Sequence, residues 1–543
     1  MTGAFTTLDR TIAPGDVVGR GSEGVYRRLS IADGEAHVRR LELAPGAGSP
    51  VERLSILRFL HLTDAQITDV QSPARVEFLD RHADRRALEH LLPAHRPHES
   101  LQVHALDAMI RTVRDLPPSP VTGASAALAV STGDVVDNQQ WNELVWFLTL
   151  IGGGSVAVDS GGPDFEGVQS IAWEDPSYWH PDGSADAYAE RWGFPPYPGL
   201  LDEATRAFDA PGLDLPWIGC FGNHEGLIQG TSLPTAAIRA IATGARKSVD
   251  APPGLDLQAN VERFVAEPES FLAGPSRPVT ADPARRPFSR REFVQAHLRA
   301  PGTPDGHGFT TENLRDGTAH YVHDATPEVR FIVLDTANPG GFYEGSIGAR
   351  QAGWLERRLA EVHRSYVDAD GRRVETSNAD RLVVICSHHG LDTLTNDLAL
   401  ADPDGQDDLP RLLGPAVRSI VHRFPNVVLW LSGHTHEHHA IPRRAPSGDS
   451  GFWELSTGAI ADWPVQARVI ELVDNGDGSL SILGTLVDHA APPDPADAEA
   501  LWRLASIHRE LAANDPHRGW DSAAAGDVTD RNVELVLPVP YRT

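Results

Sequence analysis

Short apolar runs recur along the chain from Leu54 onward and predict the strands of a β-sheet. Several consist almost entirely of valine, isoleucine and leucine, which is typical of strands that are covered on both faces. The runs are LSILRFLHL, AALAVST, PWIGCF, VRFIVLD, LVVICS, VVLWLS, WELST, ARVIELV and LSILGTLV. Helical patterns lie between some of them, as in QQWNELVWFLTLI, where Trp141, Leu144, Val145 and Leu148 follow the spacing of one helix face. The mixture predicts an α/β fold.

Polar, glycine-rich and proline-rich stretches divide this pattern into segments. The predicted segments are an N-terminal appendage with a β-hairpin at 1–50, a core at 51–490, insertions within the core at about 152–214 and 227–320, and a C-terminal helix with an extended tail at 491–543. The hairpin is expected in RRLSIADGEAHVRRLEL, with Asp33-Gly34 as its turn. Both insertions are expected to cap one edge of the core.

The charge balance limits the partners of the chain. Lys and Arg number 47 against 75 Asp and Glu, which gives a formal net charge of −28. A surface of this sign repels nucleic acid and anionic membranes, so a nucleic-acid partner is not expected and a phosphate-bearing substrate needs local cations. The pattern does not predict an oligomeric state.

The N-terminus and the cysteine content indicate the compartment. The opening MTGAFTTLDR lacks the basic segment and apolar run of a secretory signal, and no stretch approaches the roughly 18 apolar residues of a membrane span. We therefore expect a cytoplasmic protein. Cys220 and Cys386 are the only cysteines, each within an apolar run, and are expected to be buried free thiols.

Five apolar runs lead directly into Asp, Asn or His. They end as HLTDAQ, STGDVVDN, CFGNHE, ICSHHG and LSGHTHEHH. Ligands of open α/β sheets bind outside the carboxyl ends of strands, so these ends are expected to converge on one crevice that suits one or two divalent metals. Taken singly, Asp64 and Asp134 also fit turn or cap roles, and Asp137 and Asn138 fit a helix cap.

The ordered set of motifs resembles the calcineurin-like metallophosphoesterase superfamily. The residues that carry the resemblance are Asp64, Gly133-Asp134-Val135-Val136-Asp137-Asn138, Gly222-Asn223-His224-Glu225, His388 and Gly433-His434-Thr435-His436. The resemblance covers about residues 54–490 without the insertions. It implies a four-layer α/β/β/α sandwich, two sheets face to face with helices outside, and a two-metal site that holds Mn, Fe or Zn.

The resemblance also implies which residues bind each metal. Asp134 would bridge the two ions. Asp64 and His436 would bind the first, and Asn223, His388 and His434 would bind the second. His389 remains an alternative to His388.

Gln66 departs from the family pattern, whose first motif usually reads Asp-x-His. Three outcomes are open for this residue. It ligates the first metal through its carbonyl oxygen, it hydrogen-bonds a metal-bound water, or the first metal is loosely held. An amide oxygen is a harder ligand than an imidazole nitrogen, so a site with Gln66 as a ligand would favour manganese or iron over zinc.

The implied activity is hydrolysis of a phosphate monoester or diester of a small molecule, with a metal-bridging hydroxide as the nucleophile. His224 would donate a proton to the leaving oxygen, and Asp137 would orient His224. One alternative is a metal-binding pseudoenzyme or interaction protein in which Gln66 has impaired the first metal site. A nuclease shares this chemistry but is disfavoured by the acidic balance.

Overall fold

A computed structural model describes residues 6–82, 88, 91–183, 185–399, 408–446, 448 and 451–541. The chain is a mixed α/β protein with several sheets. The strands of the described residues are β1 (Arg10–Arg20), β2 (Val25–Asp33), β3 (Val38–Arg40), β4 (Leu54–Leu62), β5 (Leu128–Ser131), β6 (Gly154–Val156), β7 (Phe208–Ala210), β8 (Trp217–Gly219), β9 (Arg246–Ser248), β10 (Ser276–Pro278), β11 (Tyr321–Asp324), β12 (Val329–Val333), β13 (Ile347–Gly348), β14 (Ser365–Val367), β15 (Arg373–Glu375), β16 (Leu382–Cys386), β17 (Arg411–Leu412), β18 (Val427–Ser432), β19 (His439–Arg444), β20 (Gly451–Ser456), β21 (Gln466–Asp474), β22 (Ser479–Asp488) and β23 (Val533–Pro538).

Helices lie between many of these strands. The α-helices of the same residues are α1 (Gln102–Arg114), α2 (Trp141–Gly152), α3 (Ala187–Trp192), α4 (Leu200–Ala204), α5 (Asn223–Gly226), α6 (Ala236–Ala242), α7 (Val261–Ala266), α8 (Glu269–Leu272), α9 (Arg290–Arg299), α10 (Thr311–Asp316), α11 (Ala349–Ala360), α12 (Gly414–Val421) and α13 (Ala500–Ala513). None of the helices in the described part of the chain combines the length and the apolar character that crossing a membrane requires.

Two large sheets carry the fold. One has seven strands in the order β3-β23-β22-β21-β4-β5-β8, and the other has six in the order β11-β12-β16-β18-β20-β19. Residues of both sheets belong to one hydrophobic core, in which the rings of Phe59 and Phe331 meet edge to face at 5.2 Å. The Trp453 indole nitrogen also donates to the carbonyl oxygen of Val536 at 3.2 Å, which links β20 to β23.

The continuous apolar runs form the central strands, and these strand predictions are confirmed. The run LSILRFLHL is β4 and VVLWLS is β18, residue for residue. The predicted helix in QQWNELVWFLTLI is α2, which begins with a capping box of Gln140 and Glu143. Gln140 and Glu143 therefore cap α2, and Asp137 and Asn138 do not.

The hairpin near the N-terminus differs from the expectation. β2 pairs with β1, whereas β3 joins the seven-stranded sheet beside β23, so Asp33-Gly34 does not connect two paired strands. The chain beyond Gly34 is held elsewhere, because the Glu35 N–H donates to the carbonyl oxygen of Thr7 at 2.8 Å. Local alternation predicts that strands form but does not choose their partners.

The first insertion and the C-terminal helix share a smaller core. Aromatic residues of the insertion, including Trp179, Tyr188 and Phe194, pack against Leu504 and Ile507 of α13. In the second insertion, Phe264 belongs to another separate cluster. These clusters lie outside the core of the two large sheets.

Candidate metal centre

The seven-stranded sheet places three of the predicted ligands side by side. β4 is parallel to β5, and β5 is parallel to β8, so their carboxyl ends lie at the same edge. Asp64, Asp134 and Asn223 follow these three strands. The loops after β4 and β5 run together, with the Asp64 N–H donating to Gly133 at 3.1 Å and the Gln66 N–H to Asp134 at 2.9 Å.

The six-stranded sheet brings the histidines to the same place. β16 and β18 are parallel, and His388, His434 and His436 follow their carboxyl ends. His388 Nε2 lies 2.9 Å from Asp134 Oδ2, and His436 Nε2 lies 3.3 Å from Asp64 Oδ1. The edges of the two sheets therefore meet at these two carboxylates.

The backbone at this edge adopts an unfavourable conformation repeatedly. Non-glycine residues with positive φ include Asp64 (51°), Gln66 (39°), Asp134 (50°), His434 (71°) and His436 (57°). Such residues are uncommon, and each costs on the order of 1–3 kcal/mol when the surrounding structure enforces it. Residues with a strained backbone are found mainly at functional sites. Here the strained conformation directs side chains toward one another that would point apart at a relaxed strand end.

Hydrogen bonds fix the tautomers of His388 and His436. His388 Nδ1 donates to the carbonyl oxygen of Thr132 at 2.9 Å, and His436 Nδ1 donates to Asp462 Oδ2 at 2.6 Å. In a neutral ring the remaining nitrogen then carries a lone pair. Each of these nitrogens faces a carboxylate oxygen, so two acceptors point at each other and the contact requires positive charge between them.

The pKa shifts report the same excess of negative charge. Burial lowers the pKa of His388, but the Asp134 carboxylate outweighs burial and raises it to about 9. Burial raises the pKa of Asp134, but His388 and His224 outweigh it and hold it well below its usual range. Positive charge beside these carboxylates can come from protons on the histidines or from bound cations. Either source favours the ionised form of the carboxylates.

Asn223 adds an unsatisfied acceptor to the cluster. Its Nδ2 donates to Gly230 at 2.9 Å, which fixes the amide orientation, whereas its buried Oδ1 has no hydrogen-bond partner among the described residues. A buried polar atom without a partner is costly. Ligand atoms of Asp64, Asp134 and His388 lie within 4.8 Å of one another. This donor set of carboxylate, amide oxygen and imidazole fits divalent cations.

His389 also lies close to the cluster, but the lone pair of its neutral ring is already engaged by a hydrogen bond. A second group of ligand atoms within 4.8 Å comprises His388, His389 and His434. His389 Nε2, however, bonds the carbonyl oxygen of Tyr343 at 2.8 Å, and its Nδ1 bonds the Thr336 hydroxyl at 2.8 Å. Burial lowers the pKa of His389 to about 3, so the ring is neutral. Both nitrogens are engaged, and the geometry favours His388 over His389.

Gln66 is held between an arginine and two histidines. Its Oε1 accepts a hydrogen bond of 2.6 Å from Arg96, and its Nε2 lies 3.3 Å from Nε2 of both His224 and His436. A guanidinium can only donate, so the bond to Arg96 fixes which amide atom faces it. Coordination through the carbonyl oxygen would require the amide to rotate and to lose this bond.

His224 reaches the site from the first turn of α5. Its backbone N–H donates to Asp134 Oδ1 at 2.9 Å, and its ring Nδ1 donates to the backbone carbonyl of Asp137 at 2.6 Å. The Asp137 carboxylate lies 3.8 Å from the ring and is bound by Arg75 instead. The bond that orients His224 is therefore made by the Asp137 backbone.

Three residues contact the cluster without having been assigned a role from the sequence. Asp462 holds His436, Arg96 holds Gln66 and Asp462, and Glu225 accepts hydrogen bonds from the backbone N–H groups of Gly222, Asp134, Val135 and Val136. Asp462 ends the run STGAIAD after β20, so the signal used for the other strand ends could have found it. Arg96 lies in an irregular segment with no such pattern.

The cluster opens into a cavity of about 440 Å³. Its walls include Gln66, Asn223, His224, His434 and His436, together with apolar and charged residues from other segments. A volume of this size lies in the range of small-molecule binding sites. The geometry places a candidate metal centre at a cavity of ligand size.

The chain matches no protein-family model and no curated protein. Among solved structures it is similar to a dimetal phosphatase from Danio rerio, at 12% identity and a TM-score of 0.37, over 80% of this chain and 100% of that one. A likeness at this level carries no conclusion about the site, which has to be judged on its own geometry.

Proposed function

We propose that the chain is a metal-dependent phosphoesterase with a two-metal centre. Asp134 would bridge the ions, Asp64 and His436 would hold the first, and Asn223, His388 and His434 would hold the second. The calcineurin-like four-layer sandwich belongs to the same proposal. The shared core of the two large sheets supports it.

One observation carries the proposal. The Nε2 atoms of His388 and His436 face the carboxylates of Asp134 and Asp64, and the unpartnered oxygen of Asn223 lies among the same strand ends. So many acceptors at one point are stable only around positive charge. Two bound divalent ions would supply that charge and, in catalysis, Lewis acidity toward a phosphoryl group and an activated water.

The proton for the leaving group would come from His224. Because Nδ1 donates to the Asp137 carbonyl, Nε2 is the atom that can exchange a proton with a ligand in the cavity. The side chain is 15% exposed, so substrate can reach it. We assign the positioning of this ring to the backbone of Asp137, and the charge of the Asp137 carboxylate is balanced by Arg75.

Gln66 bears on the alternative of a metal-binding pseudoenzyme. Its carbonyl oxygen is occupied by Arg96, so the first ion would be held by Asp64, Asp134 and His436. The Gln66 amide nitrogen lies 3.3 Å from His436 Nε2, and with an ion on that nitrogen it would donate to a bound water or to substrate instead. We propose this donor role. It leaves coordination positions for water and substrate, as catalytic metal sites require.

Metal content and turnover test the proposal together. The protein is stripped and reloaded with manganese, iron or zinc, metal per chain is measured, and hydrolysis of 4-nitrophenyl phosphate and bis(4-nitrophenyl) phosphate is followed. We expect two ions per chain and hydrolysis of at least one ester, and we expect Asp134→Asn to lose both. One ion per chain and no hydrolysis with any metal would favour the pseudoenzyme. The variant Gln66→His tests whether an imidazole restores a stronger first site.

A further inference from the structure

The cavity above the candidate metal centre contains three arginines, and two of them are already neutralised. Arg75 is paired with Glu77, Glu99 and Asp137. Arg96 is bound to Asp462 at 3.0 Å and to Gln66 at 2.6 Å. Their positive charge balances carboxylates of the protein itself.

Arg518 differs from both. It lines the same cavity, is half-buried, and its guanidinium forms no hydrogen bond or ion pair with any residue that the structure describes. The nearby acid Glu437 lines the cavity too and is close enough to attract Arg518 electrostatically, but its carboxylate is hydrogen-bonded by His439 at 2.7 Å and makes no hydrogen bond to Arg518 among the described residues. The donors of Arg518 therefore remain available to a ligand.

The position of Arg518 is set by the backbone around it. Its carbonyl oxygen accepts the Ser522 hydroxyl at 3.2 Å, and the next residue, Gly519, donates its N–H to Asp515 at 2.9 Å. The stem of the side chain thus starts from a hydrogen-bonded turn. A planar guanidinium held at a cavity wall suits a carboxylate or phosphoryl group, which it binds with two parallel hydrogen bonds.

The rest of the cavity leaves room for such a group. Its volume of about 440 Å³ exceeds what the reacting phosphoryl group alone needs. Val76, Leu91, Leu92 and Phe264 supply apolar wall between the polar parts. In a chain with a net charge of −28, a second anionic group is disfavoured unless a local cation receives it.

We propose that Arg518 binds a second oxyanion of the substrate, a carboxylate or a further phosphoryl group remote from the bond that is cleaved. The substrates are then phosphate esters of small organic molecules that carry at least one additional negative charge. This inference rests on the proposed phosphoesterase function. Arg518 acts in it as a specificity-determining residue.

Three matched esters test the proposal. Phenyl phosphate carries no second anion, 4-carboxyphenyl phosphate adds a carboxylate, and 1,4-phenylene bisphosphate adds a phosphoryl group. Selectivity is the ratio of kcat/KM for each doubly charged ester to kcat/KM for phenyl phosphate, measured on metal-loaded full-length protein. We expect Arg518→Gln to lower the selectivity for one or both esters at least tenfold and Arg518→Lys to lower it less. The matched control is Arg299→Gln, an exposed and likewise unpaired arginine outside this cavity, which should leave selectivity unchanged.

A binding measurement separates this inference from the proposed activity. Phenylphosphonate and 4-carboxyphenylphosphonate are titrated calorimetrically into wild type and Arg518→Gln, with circular dichroism to verify folding. Tighter binding of the carboxylated compound by wild type, lost in the variant, supports Arg518 even if no ester is hydrolysed, in which case only the proposed function fails. Selectivities and affinities that are equal in wild type and Arg518→Gln would overturn the role of Arg518.

Discussion

Asp462 offers the sharpest test of how the first metal would be held. Its carboxylate accepts three hydrogen bonds, from His436 Nδ1 at 2.6 Å, Arg96 at 3.0 Å and His98 at 3.2 Å. In Asp462→Asn the amide oxygen can still accept from His436, but the negative charge that faces Arg96 and polarises the imidazole is lost. Removing a carboxylate behind a metal-binding histidine typically costs about 10- to 100-fold in metal affinity or activity.

The same substitution should also destabilise the fold, so the experiment has to separate the two effects. Breaking a buried ion pair by removing one partner costs about 3–5 kcal/mol, and Asp462 is 1% exposed. The matched control is Asp69→Asn, because Asp69 is 2% exposed, pairs with Arg285 at 3.1 Å and contacts none of the six predicted ligands. Both variants should lose stability in chemical denaturation.

Metal affinity distinguishes the two variants. It is measured by competition with a chromogenic chelator at a temperature where both proteins are folded. We expect Asp462→Asn to weaken one of two binding events about 10- to 100-fold and Asp69→Asn to leave both within twofold. Equal metal affinity in the two variants would show that Asp462 only stabilises the fold, and the assignment of His436 as a ligand would lose its support.

Three further predictions concern the proton donor, the shape of the site and acid stability. His224→Ala should lower kcat about 10²- to 10⁴-fold with both metals retained; unchanged turnover of an ester with a poor leaving group would remove it from the mechanism. Gly433→Ala should abolish tight metal binding, since its Cβ would overlap the Asp64 carboxylate, whereas Gly46→Ala, with nothing within 4 Å, should not. Burial lowers the pKa of His297 to about 3, so its folded state binds fewer protons than the unfolded chain and stability falls as pH drops below about 6.5. The free energy of unfolding, measured by chemical denaturation, should therefore fall by about 2–3 kcal/mol less between pH 7 and pH 4.5 in His297→Phe than in wild type. The same pH profile in both proteins would contradict this.

The sequence predicted the central strands well because burial dictates their composition. β4 and β18 are covered on both faces along most of their length, and only long apolar runs satisfy that environment. The N-terminal strands are more polar, and their pairing depends on distant contacts such as the one between Glu35 and Thr7. Alternation in sequence carries no information about such a contact.

The proposed ligands could be found from the sequence because each directly follows an apolar strand. Their neighbours could not be found equally well. Arg96 acts through Gln66 and Asp462, and that relation exists only once the loops after β4 and β20 are folded against its own irregular segment. For Gln66 the sequence left three outcomes open, because the amide orientation depends on Arg96, 30 residues further along the chain.

Glu225 shows how the strained backbone at the site is maintained. Its carboxylate accepts N–H groups from Gly222, Asp134, Val135 and Val136, which fixes the loop after β5 in the conformation that gives Asp134 a φ of 50°. Burial and the charge of Asp134 raise the pKa of Glu225 to about 8. The chain thus places a second buried carboxyl group behind Asp134, and its raised pKa shows that ionisation beside Asp134 is disfavoured. Such an arrangement is unfavourable for a fold alone and becomes favourable when cations occupy the front of Asp134, so the support for the strained loop and the proposed metal centre depend on each other.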